Sequence, residues 1–234
     1  MTMTEMDAER TTIDLANKVT ASSFKNGEVP PRLLDMRKKF VSSKGWREYG
    51  PDRPDDRDEY DKDPMTIHIA SRNAKGQPIA ALRITPIEVL TESLSYAMLR
   101  PEMQAEVAAS DLIPDGDFAM FDMTRLVVDL DIGPRVYVPE IARIIGAAEK
   151  QSVIHSGSKP VMWIFAVDGV FAKFLERTDM DVHIVANDGS GAKTMFGYAF
   201  PSDVKEQHIA AADKDHHKDK SFGMAAVRAS GDSG

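Results

Sequence analysis

Residues 117–129 read DFAMFDMTRLVVD, the longest strand candidate in the chain. Successive side chains of a strand point to opposite faces, so Asp122 and Thr124 share one face and Arg125 takes the other. All three can line one pocket only if the strand bulges. Downstream, VPEIARIIGAAEK (138–150) reads as a helix, with Pro139 in its first turn and Ile141, Ile144, Ile145 and Ala148 in one apolar stripe. PVMWIFAV (160–167) reads as a buried strand, and DGVFAKFLERT as a helix capped by Asp168. DVHIVAN and KTMFGYAF follow as two strands, paired in a hairpin around DGSG.

Upstream, NAKGQ marks a turn between the strand candidates MTIHIA (65–70) and PIAALRIT (78–85). Residues 87–108 read as helical, broken at Pro101. PRLLDMRKKFV forms a further helix, with Leu33, Met36 and Phe40 at helical spacing. The order predicts a mixed α/β sheet with helices on both faces. Residues 31–201 make one domain between a weakly patterned leader, 1–30, and a polar tail, 202–234.

Hydrophobic residues make up 42% of the 234 and charged residues 28%, near globular averages. No apolar run approaches the ~20 residues that span a bilayer. The opening MTMTEMDAERTTIDL has no apolar signal-peptide core, and there is no cysteine, so disulfides and thiol catalysis are excluded and the cytoplasm is the expected compartment. A net charge of −8 argues against nucleic acid as the main partner. The tail histidines His208, His216 and His217 lack metal-site spacing, and no metal is assigned. The acids of DDRDEYDKD (55–63) admit two readings: a solvated loop, or a wall that receives a cation.

Four motifs stand in order: Arg37-x-x-Phe40 followed by Lys44-Gly45-Trp46; Asp56-x-Asp58-x-x-Asp61; Arg83 just before Thr85-Pro86; and Asp122-x-Thr124-Arg125. Together they resemble the acyl-homoserine-lactone synthases, the LuxI-type autoinducer synthases. That family carries Glu-x-Asp-x-x-Asp, Arg-Leu-x-Pro-Thr and Glu-x-Ser-Arg-Phe, so Asp56 and Asp122 stand where it has Glu, Thr124 where it has Ser, and Leu126 where it has an aromatic. The resemblance is that of a divergent member and spans residues 33–130.

It implies an acetyltransferase-like (GNAT) fold whose central strands splay, the bulged strand parting from VMWIFAV and exposing a backbone N–H to a thioester carbonyl. It also implies two steps: the amine of S-adenosylmethionine takes an acyl group from acyl-carrier protein or acyl-CoA, and the product then closes to a lactone, releasing methylthioadenosine. On this reading Arg37, Phe40, Trp46, Asp58, Asp61 and Arg83 bind S-adenosylmethionine, the acids receiving its cationic centres and the Trp46 ring its sulfonium. Asp122, Thr124 and Arg125 are the catalytic candidates, Asp122 as proton acceptor and Arg125 alternatively as a partner of the acidic loop. For Arg37 and Arg83 a structural ion pair is equally open, and Phe40 also reads as core. An apolar slot for the acyl chain draws on Met123, Trp163, Phe165 and Phe171. Where acetyltransferases carry a glycine-rich phosphate turn, the chain reads DIGPRVYVPEIAR, which favours a carrier-protein donor; Arg135, Arg143, Lys150 and Lys159 are its candidate docking face. Both substrates come and go, so no resident cofactor is expected.

Overall fold

A computed structural model describes residues 10–14, 19–24, 28–45, 47–109, 113–114, 116–176, 178, 180–187 and 194–201. Its strands are β1 (Arg10–Asp14), β2 (Val19–Ser23), β3 (Ile67–Arg72), β4 (Pro78–Ile87), β5 (Ala119–Val128), β6 (Val161–Asp168), β7 (Asp181–Asn187) and β8 (Thr194–Phe200). They form one sheet in the order β1-β2-β3-β4-β5-β6-β8-β7. Every neighbouring pair is antiparallel except β5 and β6. Parallel neighbours need a long crossover, supplied here by α4 (Pro134–Ser156).

Alternation divides the core in two. Ile67, Ile69, Leu82, Ile84, Phe121, Trp163 and Phe165 face Ile141, Ile144 and Ile145 of α4, with α5 (Gly169–Leu175) on the same side. On the opposite face, Met162, Ile164, Phe196 and Tyr198 pack with Tyr96 of α2 (Leu94–Ala97) and Met103 of α3 (Pro101–Ala109). Leu33, Leu34 and Met36 of α1 (Pro31–Ser43) cover Ala70, Ala81 and Val127. The fold is the mixed, doubly covered, GNAT-like sheet that the sequence predicts.

Several local features differ from that expectation. The helix around 138–150 starts earlier, with Pro134 in its first turn and Pro139 inside it. Pro139 removes one backbone donor, and both it and Arg135, whose carbonyl loses that donor, lie on the exposed side of the helix. Residues 10–14 and 19–23, in the stretch read as leader, are strands: β2 pairs with β3, and β1 with β2. The helical stretch 87–108 resolves into a 3₁₀ turn, Leu90–Glu92, followed by α2 and α3. The tail, 202–234, lies outside the described residues.

The feature that positions the site is the parting of β5 from β6. They pair only from Ala119 with Val161 to Met123 with Phe165. Beyond that point β5 stays with β4 and β6 stays with β8, so the sheet opens between them. The bulge lies at this opening: β4 has one residue, Leu82, between Ala81 and Arg83, whereas β5 has Arg125 and Leu126 between Thr124 and Val127. Arg125 takes φ 55°, a left-handed conformation that L side chains rarely adopt.

Candidate functional site

Three strands present a polar row to the α1 side of the sheet. His68 of β3 lies opposite Arg83 of β4, which lies opposite Thr124 of β5. One step along, Thr66 donates to Thr85 at 3.1 Å, and Thr85 pairs with Asp122. Over this row sits the 3₁₀ turn Glu59–Lys62, closed by a capping box in which Asp61 N–H donates to Asp58 and Asp58 N–H to Asp61.

Arginines from four segments meet the acids Asp56, Asp58 and Asp61 of that turn and the stretch before it. Arg83 Nη1 donates to Asp58 Oδ1 at 2.6 Å and Asp61 Oδ1 at 3.0 Å, its Nη2 to Asp58 Oδ2 at 3.1 Å, and its Nε to the Thr124 hydroxyl at 3.0 Å. Arg37 of α1 reaches Asp61 at 2.9 Å. Arg125 donates to Asp58 at 2.7 Å, with its Nε 3.1 Å from Asp56. Asp56 also accepts from Arg47 at 2.9 Å and the Tyr49 hydroxyl at 2.7 Å. Asp56, Asp61 and Arg83 are 0% exposed. Charges so desolvated persist only when paired, and these four arginines and three aspartates pair one another. Burial pushes the Asp58 carboxyl up, but Arg83 and Arg125 outweigh it and hold it down at about 2.

The bulge explains how Arg125 joins the row although strict alternation sends it to the other face: its left-handed backbone turns the side chain toward Asp56 and Asp58. Asp122 sits apart from the arginines. Its Oδ2 accepts from the N–H groups of Leu94 (2.6 Å) and Ser95 (3.3 Å) at the start of α2, and burial raises its pKa, opposed by those bonds. Phe40 is half-buried and packs against two core clusters, those of α4 and of α1, and Lys44 Nζ lies 3.5 Å from Asp168 at the end of β6, so the end of α1 crosses the opening.

Of the candidates read from the sequence, the structure brings Arg37, Asp58, Asp61, Arg83, Thr124 and Arg125 into one contact network. Asp56, Asp58 and Asp61 are engaged by arginines instead of standing free for a cation, and Asp122 lies outside that network. Trp46 lies outside the described residues. Of the acyl-slot candidates, Met123 and Phe165 form the last pair before the strands part, Trp163 is fully buried and donates to Ser152 at 2.9 Å, and Phe171 is half-buried against the same core. On the candidate docking face, Arg143 pairs with Glu140 and Lys159 with Asp117, which neutralises half of it.

Sequence reasoning missed His68, Arg47, Tyr49 and Tyr60. His68 had a signal, since it occupies an alternate position of MTIHIA between Thr66 and Ala70 on the face that alternation assigns to the site. A cleft of about 290 Å³ was not legible at all: Glu59, Tyr60, Asp63 and Glu92 rim it, and Thr85, Pro86 and Ile87 complete its lining. The Tyr60 hydroxyl donates to the Glu92 carbonyl across it, and the Tyr60 ring lies 5.4 Å from the Arg83 guanidinium.

No protein-family model matches the sequence, nor does any curated protein. Solved structures do match. The acyl-homoserine-lactone synthase LasI superposes with a TM-score of 0.55 at 12% identity, over 78% of this chain and 87% of its own. FeeM, an N-acyl amino acid synthase from uncultured soil microbes, gives 0.52 at 9%, over 79% and 90%. BjaI, a CoA-dependent acyl-homoserine-lactone synthase solved with S-adenosylmethionine and isopentyl-CoA, gives 0.51 at 16%, over 76% and 81%. The chain has their fold.

Proposed function

We propose that the chain is an acyltransferase that makes an N-acyl-homoserine lactone from S-adenosylmethionine and an acyl thioester. One observation carries the reading: β5 and β6 part after Met123 and Phe165, and Arg125 of β5 ties the acid–arginine network to that opening. The likeness to LasI and BjaI supports it at the level of fold.

In the first step the amine, once neutral, attacks the thioester carbonyl. The carbon–nitrogen bond forms, the carbon–sulfur bond breaks, and the thiol leaves with a proton. Backbone N–H groups of β5 beyond Met123, which β6 does not bond, are placed to polarise the carbonyl. Asp122, with its pKa raised by burial, is the acceptor of the amine proton. In the second step the substrate carboxylate attacks its own γ-carbon and expels methylthioadenosine. The acid–arginine network holds the 55–63 loop over the opening, and the cationic centres meet the acids left around the cleft: Glu59, Asp63 and Glu92. Met123 and Phe165 stand where the acyl chain enters, with Trp163 and Phe171 behind them.

A second reading keeps the chemistry of the first step and changes the acceptor. Asp58 and Asp61 are neutralised by arginines, which leaves them no charge to offer a sulfonium, and FeeM shares the fold. On that reading another amine is acylated. Mass analysis of products from S-adenosylmethionine, a panel of amino acids and mixed acyl thioesters separates the two: lactone formation releases methylthioadenosine, and simple N-acylation does not.

A further inference from the structure

His68 is buried in the middle of the candidate site, and the chemistry proposed above gives it no task. We infer that His68 is a positioning residue: a neutral hydrogen-bond acceptor that fixes the Arg37 guanidinium, so that Arg37 holds Asp61 and with it the acidic turn over the opening of the sheet. The inference rests on that reading of the site for its kinetic consequence, but its geometry stands alone.

His68 Nδ1 lies 2.7 Å from Arg37 Nη2. Arginine has no acceptor and stays charged, so the guanidinium donates and Nδ1 offers its lone pair. The ring hydrogen is therefore on Nε2, which has no hydrogen-bond partner among the described residues and lies 3.7 Å from Asp61 Oδ1. Arg37 thus spends Nη1 on Asp61 and Nη2 on His68, and is fixed at two points. Neighbouring elements pack around the ring. Its backbone is bonded between β2, opposite Ser22, and β4, opposite Arg83, and the Phe24 ring packs on it at 4.9 Å.

The charged groups facing His68 come from three elements: Arg37 from α1, Arg83 from β4, and Asp58 and Asp61 from the turn. Burial first, and then the two arginines, hold its pKa well below the ordinary value. A proton added at Nδ1 would set two donors face to face across the Arg37 contact, and Arg37 would have to leave. A phenylalanine would put a slightly larger aromatic ring there and strand the Arg37 donor in the core. An asparagine would place its amide oxygen near the position of Nδ1 and keep the bond.

The test compares wild type, His68→Phe and His68→Asn with S-adenosylmethionine and an acyl-CoA panel. Loss of a charge-assisted bond predicts that His68→Phe raises the KM for S-adenosylmethionine about tenfold or more while leaving that for the thioester within about twofold. His68→Asn restores it. A folded His68→Phe with unchanged KM values, or His68→Asn as impaired as His68→Phe, overturns the inference. Long-range ¹H–¹⁵N correlation of the imidazole gives an independent readout, with the His68 signals assigned by their loss in His68→Asn. The wild-type ring is expected to be protonated at Nε2 alone at neutral pH. A ring protonated at Nδ1 overturns the inference whether or not any variant folds. Wild-type protein that releases no methylthioadenosine counts against the proposed function, and the spectra still decide the role of His68.

Discussion

Two aspartates of the site are driven in opposite directions by their surroundings. Asp58 is held down at about 2 because Arg83 and Arg125 outweigh its burial, whereas Asp122 has no arginine partner among the described residues and is raised by burial, against the bonds it accepts from Ser93, Leu94 and Ser95. In the unfolded chain Asp58 titrates near ~3.9, so its pairing stabilises fully above about pH 4 and is lost as the pH falls toward 2, an effect on the order of 2 kcal/mol. Asp58→Asn should flatten that limb of a plot of Tm against pH and lower Tm at neutrality. His68 adds an earlier limb. Its folded pKa is depressed, so the unfolded chain takes up the proton first, and stability falls as the pH drops below about 6.5. In the proposed reaction Asp122 must be ionised to accept a proton, so the acid limb of kcat for methylthioadenosine release is expected above the ordinary carboxylate range. Asp122→Asn should lower kcat by about 10²-fold or more, with little change in fold because its amide oxygen still accepts from Leu94 and Ser95. Residue types at the site were legible in the sequence, since arginines and acids recur at motif spacing. Their partners were not: Asp61 meets Arg37 and Arg83 across more than twenty positions of sequence, a relation set by strand register and helix packing.

At the scale of elements, the bulge in β5 separates backbone from side chain in a measurable way. Arg125→Ala takes the arginine partner away from Asp56 and Asp58 and keeps a side chain at φ 55°, so a loss of about 3–5 kcal/mol is expected in denaturant unfolding. Arg125→Gly loses the same pairs but accepts that φ freely, and should recover about 1 kcal/mol of the loss. Equal costs for the two variants would mean that the backbone there carries no strain. The β7–β8 pair offers a second case: a Cβ on Gly197 would stand 2.2 Å from the His183 carbonyl oxygen, a backbone atom that cannot swing aside. Gly197→Ala should therefore destabilise by about 1–3 kcal/mol, read as a lower midpoint at unchanged m-value. Many elements were legible from pattern alone, because MTIHIA alternates, β6 is a continuous apolar run and the α4 stripe repeats at helical spacing. The site of the bulge was not, since it depends on counting residues against the partner strand, and the start of α4 was displaced because Pro134 suits a first turn as well as Pro139 does.

For the whole molecule, two strand groups contiguous in sequence, β1–β5 and β6–β8, meet only along the short β5–β6 pairing, and the stripe of α4 packs across strands of both. Ile144 is 0% exposed in that stripe. Ile144→Ala is expected to cost about 2–5 kcal/mol, with circular dichroism and tryptophan fluorescence still following a single transition. Separate transitions would mean that the two groups melt independently. The opening has one further consequence, for association between copies. Past Met123, β5 carries backbone donors and acceptors that no neighbour on that side bonds, which is the surface that recruits a stray strand from another chain. The kink at Arg125 breaks the even spacing such a strand would need, and the end of α1 lies across the gap. The distortion that gathers the charges therefore also guards an interior edge against aggregation.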